Sequence, residues 1–256
     1  MDINKLEYIK ENKIMWYVGS KNKLSKDLVP IIQSYITSDT KGYLEPFVGG
    51  GNVIDKIQCN NKIGCDIHKQ LIELLKYTRD YSYLIPDIIA EEEYNRVKLN
   101  KGQYEDWYLG LVGFCATFGA KYFGGYARGS KDDNSGEKTK SAIRNLKKQA
   151  PNLQNIEFKC CDFRNISKDK IKGYVIYCDP PYKNTTKYKT GDFPYEEFYQ
   201  WCKDMSKDNV VLVSEYNMPD DFTCIWQKET KVNFDSNRKS NDEKNKRVEK
   251  LYIYKK

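Results

Sequence analysis

The sequence holds a single histidine, His68, among its 256 residues. A Ser-His-Asp or Cys-His mechanism would have to run through that one side chain, so nucleophilic hydrolysis of that kind is disfavoured. His68 itself reads as a helix-start or surface residue. Eight cysteines are present (Cys59, Cys65, Cys115, Cys160, Cys161, Cys178, Cys202 and Cys224), but none forms a Cys-x-x-Cys pair. Zinc sites need clustered Cys and His at short spacing. These thiols are therefore expected to be buried and reduced, with no metal. No apolar run approaches the roughly 20 residues that a membrane helix needs. Met1 to Lys13 is charged and mixed, without the apolar stretch of a signal peptide. The expectation is a cytoplasmic protein with no membrane role. No internal repeat is present.

Hydrophobic residues make up 39% and charged residues 31%, as in a globular protein. The net charge is +7. A modest basic excess favours a polyanionic partner, but a Lys-rich solvated surface accounts for it equally.

Short apolar runs alternate with amphipathic stretches. Asn22 to Tyr35 reads as a helix with Leu24, Leu28, Ile31, Ile32 and Tyr35 on one face. Tyr43 to Phe47 reads as a strand that runs into Gly49, Gly50 and Gly51, with a helix starting at Val53 to Ile57. Lys62 to Ile67 is a second strand, followed by a helix that turns Leu71, Leu74 and Leu75 inward. Further strands are expected at Ile156 to Cys160, Tyr174 to Cys178, Val210 to Ser214, Thr223 to Gln227 and Val248 to Tyr254, with a helix at Tyr195 to Met205. Alternating strands and helices imply an α/β fold with a parallel sheet. The character changes between about residues 78 and 152, where aromatic and Gly-rich runs appear, and Ser130 to Lys140 reads as a loop. That span is expected to be an insertion in a domain made of residues 1–77 and 153–256.

Three candidate sites fall at the carboxyl ends of expected strands, where open α/β sheets bind ligands. The first is Glu45-Pro46-Phe47-Val48-Gly49-Gly50-Gly51. Glycines allow positive φ and close backbone approach, although a tight loop needs the same residues. No Gly-Lys-Ser/Thr follows, so it is not a phosphate loop. The second is Asp66, an acid placed to accept hydrogen bonds from both hydroxyls of a ribose, or to cap the next helix; the two roles are compatible. The third is Asp179-Pro180-Pro181-Tyr182. Two prolines fix φ and remove two amide donors. The corner they make presents a carboxylate, a free carbonyl and an aromatic ring. An aromatic amine is a poor nucleophile because its lone pair is delocalised into the ring. Acceptors placed on its two N–H bonds favour the pyramidal form that can attack an electrophile, and the ring of Tyr182 can stack on the base. Tyr17-Val18-Gly19-Ser20-Lys21 reads either as a cap for the first helix or as a lid with Lys21 contacting a carboxylate.

Together these motifs resemble the Dam-type DNA adenine-N6 methyltransferases over residues 14–77 and 153–256. The family's N-terminal aromatic-x-Gly-Gly-Lys motif is matched by Tyr17 to Lys21, with Ser20 in place of the second Gly. Its Pro-Phe-x-Gly-x-Gly turn is matched by Pro46 to Gly51, its ribose-binding acid by Asp66 followed by Ile67, and its acid-aromatic pair by Asp162-Phe163. Its catalytic tetrad is matched by Asp179 to Tyr182. The resemblance implies a Rossmann-like methyltransferase sheet, mostly parallel with an antiparallel C-terminal hairpin, plus a small, mainly helical inserted domain for target recognition at 78–152. It implies S-adenosyl-L-methionine as methyl donor, held by Tyr17, Lys21, Glu45, Pro46, Phe47, Gly49, Gly51, Asp66, Ile67, Asp162, Phe163 and Asp179. It implies double-stranded DNA as partner, with adenine flipped out of the duplex. An Asp in the tetrad favours adenine over cytosine. RNA adenine or protein glutamine methylation, and an inactive DNA-binding module, are the alternatives. Lys121, Tyr122, Tyr126 and Arg128 interleave aromatic and basic character and are the expected DNA contacts, although aromatic packing accounts for the two tyrosines equally well. Asp235 to Lys246 reads as a solvated hairpin loop.

Overall fold

The computed structural model describes residues 19–129, 136–182, 193–231 and 246–254. Seven strands form one sheet in the order β3-β2-β1-β4-β5-β7-β6. They are β1 (Gly42–Glu45), β2 (Lys62–Asp66), β3 (Ile156–Cys160), β4 (Tyr174–Cys178), β5 (Val210–Glu215), β6 (Phe222–Lys231) and β7 (Lys246–Tyr254). The first five run parallel; β7 lies antiparallel to β5, and β6 antiparallel to β7. The expected fold class, mostly parallel with an antiparallel C-terminal pair, is the one observed.

Strand alternation divides the core into two layers. On one side, Tyr43, Val175, Tyr177, Leu212 and Leu251 pack with helices α1 (Asn22–Ser34), α2 (Lys69–Tyr81) and α5 (Glu137–Leu153). On the other, Leu44, Ile63, Cys65, Ile176, Cys178, Val211 and Val213 meet helix α6 (Tyr195–Met205) through Phe198, Trp201, Cys202 and Met205. Helices α3 (Glu91–Leu99) and α4 (Asp106–Gly110) occupy the span between α2 and α5. Ile85, Ile89, Tyr94, Val97, Leu111, Phe114 and Phe123 from that span join the first layer. Positions 78 and 152 both fall within helices, α2 and α5, that pack on this layer.

Several local expectations need correction. The expected helix at Val53 to Ile57 is only a 3-10 turn, Ile54–Lys56, because Ile57 turns extended (ψ 132°) to carry the chain toward β2. Ser130 to Lys140 is not all loop. Residues 130–135 lie outside the described set, but Glu137 to Lys140 form the first turn of α5. Glu137 suits the positive end of the helix. Thr139 fixes that turn, donating 2.9 Å to the carbonyl of Gly136 and 3.1 Å to that of Ile89. Among the cysteines, Cys65, Cys115, Cys178 and Cys202 are buried, but Cys160 and Cys224 are exposed and Cys59 and Cys161 half-buried. Cys160 sits on edge strand β3, whose outward face meets no second layer at that position. Residues 235–245 lie outside the described residues, and Lys246 opens β7. Among the described residues, no helix is long and apolar enough to cross a membrane.

Candidate active site

β1 and β4 are neighbours, with Leu44 paired to Ile176. From β1 the chain steps to β2 and β3 on one side, and from β4 to β5 on the other. The crevice above the carboxyl ends of β1 and β4 is therefore the switch point at which such sheets bind ligands. Glu45 to Gly51 and Asp179 to Tyr182 both open onto it.

The glycine turn is held from the end of β2. Gly49 and Gly51 adopt φ of 49° and 69°, the left-handed region that favours glycine. Val48 donates its amide to the carbonyl of Cys65 at 2.7 Å. Asp66 accepts the Gly49 amide at 3.1 Å on one oxygen and the His68 amide at 2.9 Å on the other. One carboxylate thus ties the turn to the end of β2 and steadies the start of α2. Burial raises the Asp66 carboxyl above its usual range, and the amides of His68 and Gly49 oppose that. Beside it, Ile67 leaves 58% of its surface open. The His68 ring packs 4.6 Å from Tyr122 and 5.0 Å from Phe114, as a helix-start residue.

Gln149, from α5, reaches the same turn. Its amide nitrogen donates to the carbonyls of Gly50 (3.0 Å) and Gly51 (3.1 Å) and to Asp55 Oδ2 (3.2 Å). Pro46 is buried and Phe47 half-buried. Phe47, Phe163, Phe193 and Phe198 form an aromatic cluster with centroids 5.5–5.8 Å apart. The Phe163 ring therefore belongs to the core. Arg164 grips Asp162 with two side-chain bonds of 2.9 and 2.8 Å and holds its carboxyl below the usual range.

At the tetrad, Lys21 Nζ lies 2.9 Å from Asp179 Oδ1, 3.9 Å from Glu249 Oε2 and 4.4 Å from the centroid of the Tyr182 ring. The Tyr182 hydroxyl donates to Glu249 Oε2 at 2.9 Å, and Tyr216 meets the Tyr182 ring edge-on at 4.6 Å. The Tyr195 hydroxyl donates to the Pro181 carbonyl at 3.0 Å, which holds the corner to α6. Ser20 fastens the segment that carries Lys21. Its hydroxyl oxygen accepts from Asn52 Nδ2 at 2.7 Å, next to the glycine turn, and from the Asn22 amide at 3.2 Å. Glu45 is buried and accepts the Tyr43 hydroxyl at 2.7 Å.

The charges are strongly perturbed. Burial raises the Asp179 carboxyl, and the Lys21 ammonium opposes it. For Lys21, burial alone would lower the pKa, but the carboxylates of Asp179 and Glu249 reverse this and leave it raised. Burial also raises Tyr182 and Glu45 well above their ordinary values. Strongly shifted groups gathered in a crevice mark a functional site.

Asp179, Tyr182 and Lys21 come together, and Asp66 sits with the glycine turn. Tyr17 lies outside the described residues. Glu249, Tyr216 and Gln149 carry no sequence signal of their own: they reach the site only through the antiparallel strand, the loop after β5 and the packing of α5.

Of the expected DNA contacts, Lys121, Tyr122 and Tyr126 fall on a separate loop, 117–126, closed by a bridge between Thr117 and Tyr126, and Arg128 follows it. Lys121 is exposed on it. Tyr122 packs against Phe114 and Phe123, and the Tyr126 hydroxyl donates to the Ile89 carbonyl at 2.8 Å, so both rings serve packing. Arg128 is exposed but ion-paired to Glu91. Phe118, which sequence reasoning missed, leaves 72% of its surface open on the same loop.

The pattern of the D12 class N6 adenine-specific DNA methyltransferases matches residues 17–111 and 108–240. The Type II methyltransferase M.FokI of Planomicrobium okeanokoites is 26% identical over 204 residues, which are 71% of this chain and 31% of that protein. The chain thus spans about a third of the length of this relative. A solved structure, SMU.472 complexed with SAH and described only provisionally as a methyltransferase, superposes with a TM-score of 0.35 at 12% identity, covering 92% of this chain and 53% of that one. A likeness that loose bears on neither fold nor function.

Proposed function

The chain belongs to the D12 class of N6 adenine-specific DNA methyltransferases, and we propose that it moves the methyl group of S-adenosyl-L-methionine onto the exocyclic amino nitrogen of adenine in double-stranded DNA. The observation that carries this reading is the meeting of Asp179 and Tyr182 with the glycine turn at the β1/β4 switch point.

The residues of the crevice suit the methyl donor. Asp66 is a half-buried carboxylate with lone pairs beyond those that meet Gly49 and His68. The apolar face of Ile67 stands open beside it. That pairing of acid and open apolar surface fits a ribose and the face of its base. Asp66, Ile67, the Phe47 to Gly51 turn and the Asp162-Phe163 backbone would hold the adenosine part. Glu45, Lys21 and the N-terminal segment that includes Tyr17 would lie toward the amino-acid part. Bound there, the cofactor supplies a sulfonium methyl, already a strong electrophile.

The chain's own residues then act on the purine. Adenine must leave the duplex before its amino group can be reached in line. Tyr182 stacks on the flipped base, a contact worth roughly 1–3 kcal/mol. Asp179 and the Pro180 carbonyl accept the two amino hydrogens, while Pro181 keeps the corner stiff. The amino group approaches the carboxylate that Lys21 holds through Oδ1, and the two donors compete for it. Burial raises the affinity of Asp179 for a proton, which suits it to take the one that the methylated nitrogen sheds. Positioning and fixed charge supply most of the rate.

Residues 78–152 are proposed as the target-recognition part. Lys121 and Arg128 would meet phosphates, with Arg128 leaving Glu91 to do so, and Tyr122 and Tyr126 would shape the loop that presents them. The whole reading is tested by offering the purified chain tritiated S-adenosyl-L-methionine with DNA, RNA and protein in parallel. Label should enter DNA and co-migrate with N6-methyladenosine's deoxy form after digestion. Label that enters only RNA or protein would reject the substrate.

A further inference from the structure

Glu249 stands on β7, 67 residues along the chain from Tyr182, yet its Oε2 receives the Tyr182 hydroxyl at 2.9 Å. The same oxygen lies 3.9 Å from Lys21 Nζ. The Glu249 side chain is only 14% exposed, and that of Lys21 9%. β7 holds it there rigidly, because it is paired on both sides, with β5 through Lys250 and with β6 through Lys228.

Two consequences follow from this geometry. A tyrosine ring that is free to turn must be ordered when a base stacks on it, which weakens the contact. The bond at the far end of the ring, with the Lys21 ammonium near its centroid and Tyr216 at its edge, fixes the plane beforehand. The second concerns charge. When a purine amine takes the Asp179 carboxylate, Lys21 loses its closest counter-ion inside a poorly solvated site, and an unpaired buried charge is costly. A second carboxylate 3.9 Å away gives the ammonium somewhere to go.

We propose that Glu249 is a positioning residue for the methyl transfer: it sets the plane of Tyr182 through the phenol hydroxyl and receives Lys21 when the target amine displaces it from Asp179. This rests on the adenine-methylating function proposed above.

The full chain carrying Glu249→Ala, Glu249→Gln or Tyr182→Phe, and the Glu249→Ala/Tyr182→Phe pair, would be compared in methyl transfer to unmethylated genomic DNA. Glu249→Ala should lower kcat about tenfold, within the range seen for residues that orient a reacting side chain, and change the KM for S-adenosyl-L-methionine by no more than about twofold. In a Tyr182→Phe background the same change should cost distinctly less, because the hydroxyl it acts through is gone. Glu249→Gln keeps an acceptor for the hydroxyl and removes only the charge, so a fall of about threefold is expected with an intact melting curve. Equal losses in both backgrounds, or native turnover in Glu249→Ala, would overturn the proposal. A readout independent of turnover is the NMR signal of 13Cζ-labelled tyrosine. The resonance that vanishes in Tyr182→Phe should move in Glu249→Ala; if it stays in place, Glu249 does not hold the ring. Should the native chain transfer no methyl to any DNA, the proposed function fails, while the resonance still decides the contact.

Discussion

The Lys21 ammonium lies 2.9 Å from the Asp179 carboxylate, and the two side chains are 9% and 19% exposed. The pair ties the start of α1 to the tetrad and favours the ionised form of the acid. Burial favours the neutral carboxyl; Lys21 is the principal group that opposes it. Removing the ammonium while keeping the length, as in Lys21→Met, takes away what lowers the Asp179 pKa. The acid limb of the kcat/KM profile should therefore shift to higher pH. Methyl transfer followed against pH for the native chain and the variant checks this; superimposable acid limbs would contradict it.

Glu45 offers a stability test with a definite sign. Its carboxyl is raised well above 4.5, first by burial and then by Asp55 and Asp179, while the Tyr43 hydroxyl works the other way. The native state therefore binds this proton more tightly than the unfolded chain does. The stabilisation is fully present below the unfolded value and is lost as pH rises through the folded one. Glu45→Gln keeps an acceptor for Tyr43 and cannot ionise. Its melting temperature should gain on the native chain as pH rises from 4 toward neutrality, by about 4 °C or less for each kcal/mol in a chain of this size. A difference that stays constant across that range would refute the assignment.

Gln149 connects α5 to the glycine turn. It is 1% exposed and donates to two turn carbonyls and to Asp55. Gln149→Leu strips these buried acceptors of a donor and should cost about 1–3 kcal/mol in denaturant unfolding. The KM for S-adenosyl-L-methionine should rise while duplex affinity holds. An unaltered cofactor KM would show that the turn keeps its shape without the clamp.

Phosphate contacts betray themselves in salt dependence. If Lys121 and Arg128 each neutralise one phosphate, replacing either with Ala should weaken binding across DNA sequences and lower the slope of log K against log salt by about 1. Titrations at several salt concentrations measure the slope. A slope equal to that of the native chain would remove that residue from the interface.

The strands at the crevice are legible because each is a short apolar run ended by an acid: Tyr43 and Leu44 by Glu45, Ile63 to Cys65 by Asp66, Val175 to Cys178 by Asp179. The tetrad and glycine turn carry their own chemistry in adjacent positions, so they can be read without tertiary knowledge. Lys21 reads only as a contact for some carboxylate; the fold supplies Asp179 as that partner. Glu249 looks like any outward acid on a solvated strand, and only the insertion of β7 between β5 and β6 brings it under the Tyr182 hydroxyl. Between residues 82 and 136 the helices are short and few positions show period. In α3, only Tyr94 and Val97 are buried, which is too little pattern to reveal a helix.

We infer that the Asp179 carboxylate acts on the adenine amine and is needed neither to bind the cofactor nor to hold the fold. The direct measurement is the yield of N6-methyladenine, by mass spectrometry of digested DNA, for Asp179→Ala beside the native chain, with S-adenosylhomocysteine affinity and melting temperature taken in the same preparations. Yield should fall by about a hundredfold or more, the scale of losing a group that stabilises the transition state, while the ligand still binds and the chain still melts as a folded protein. N6-methyladenine formed by Asp179→Ala at close to the native rate would contradict the account.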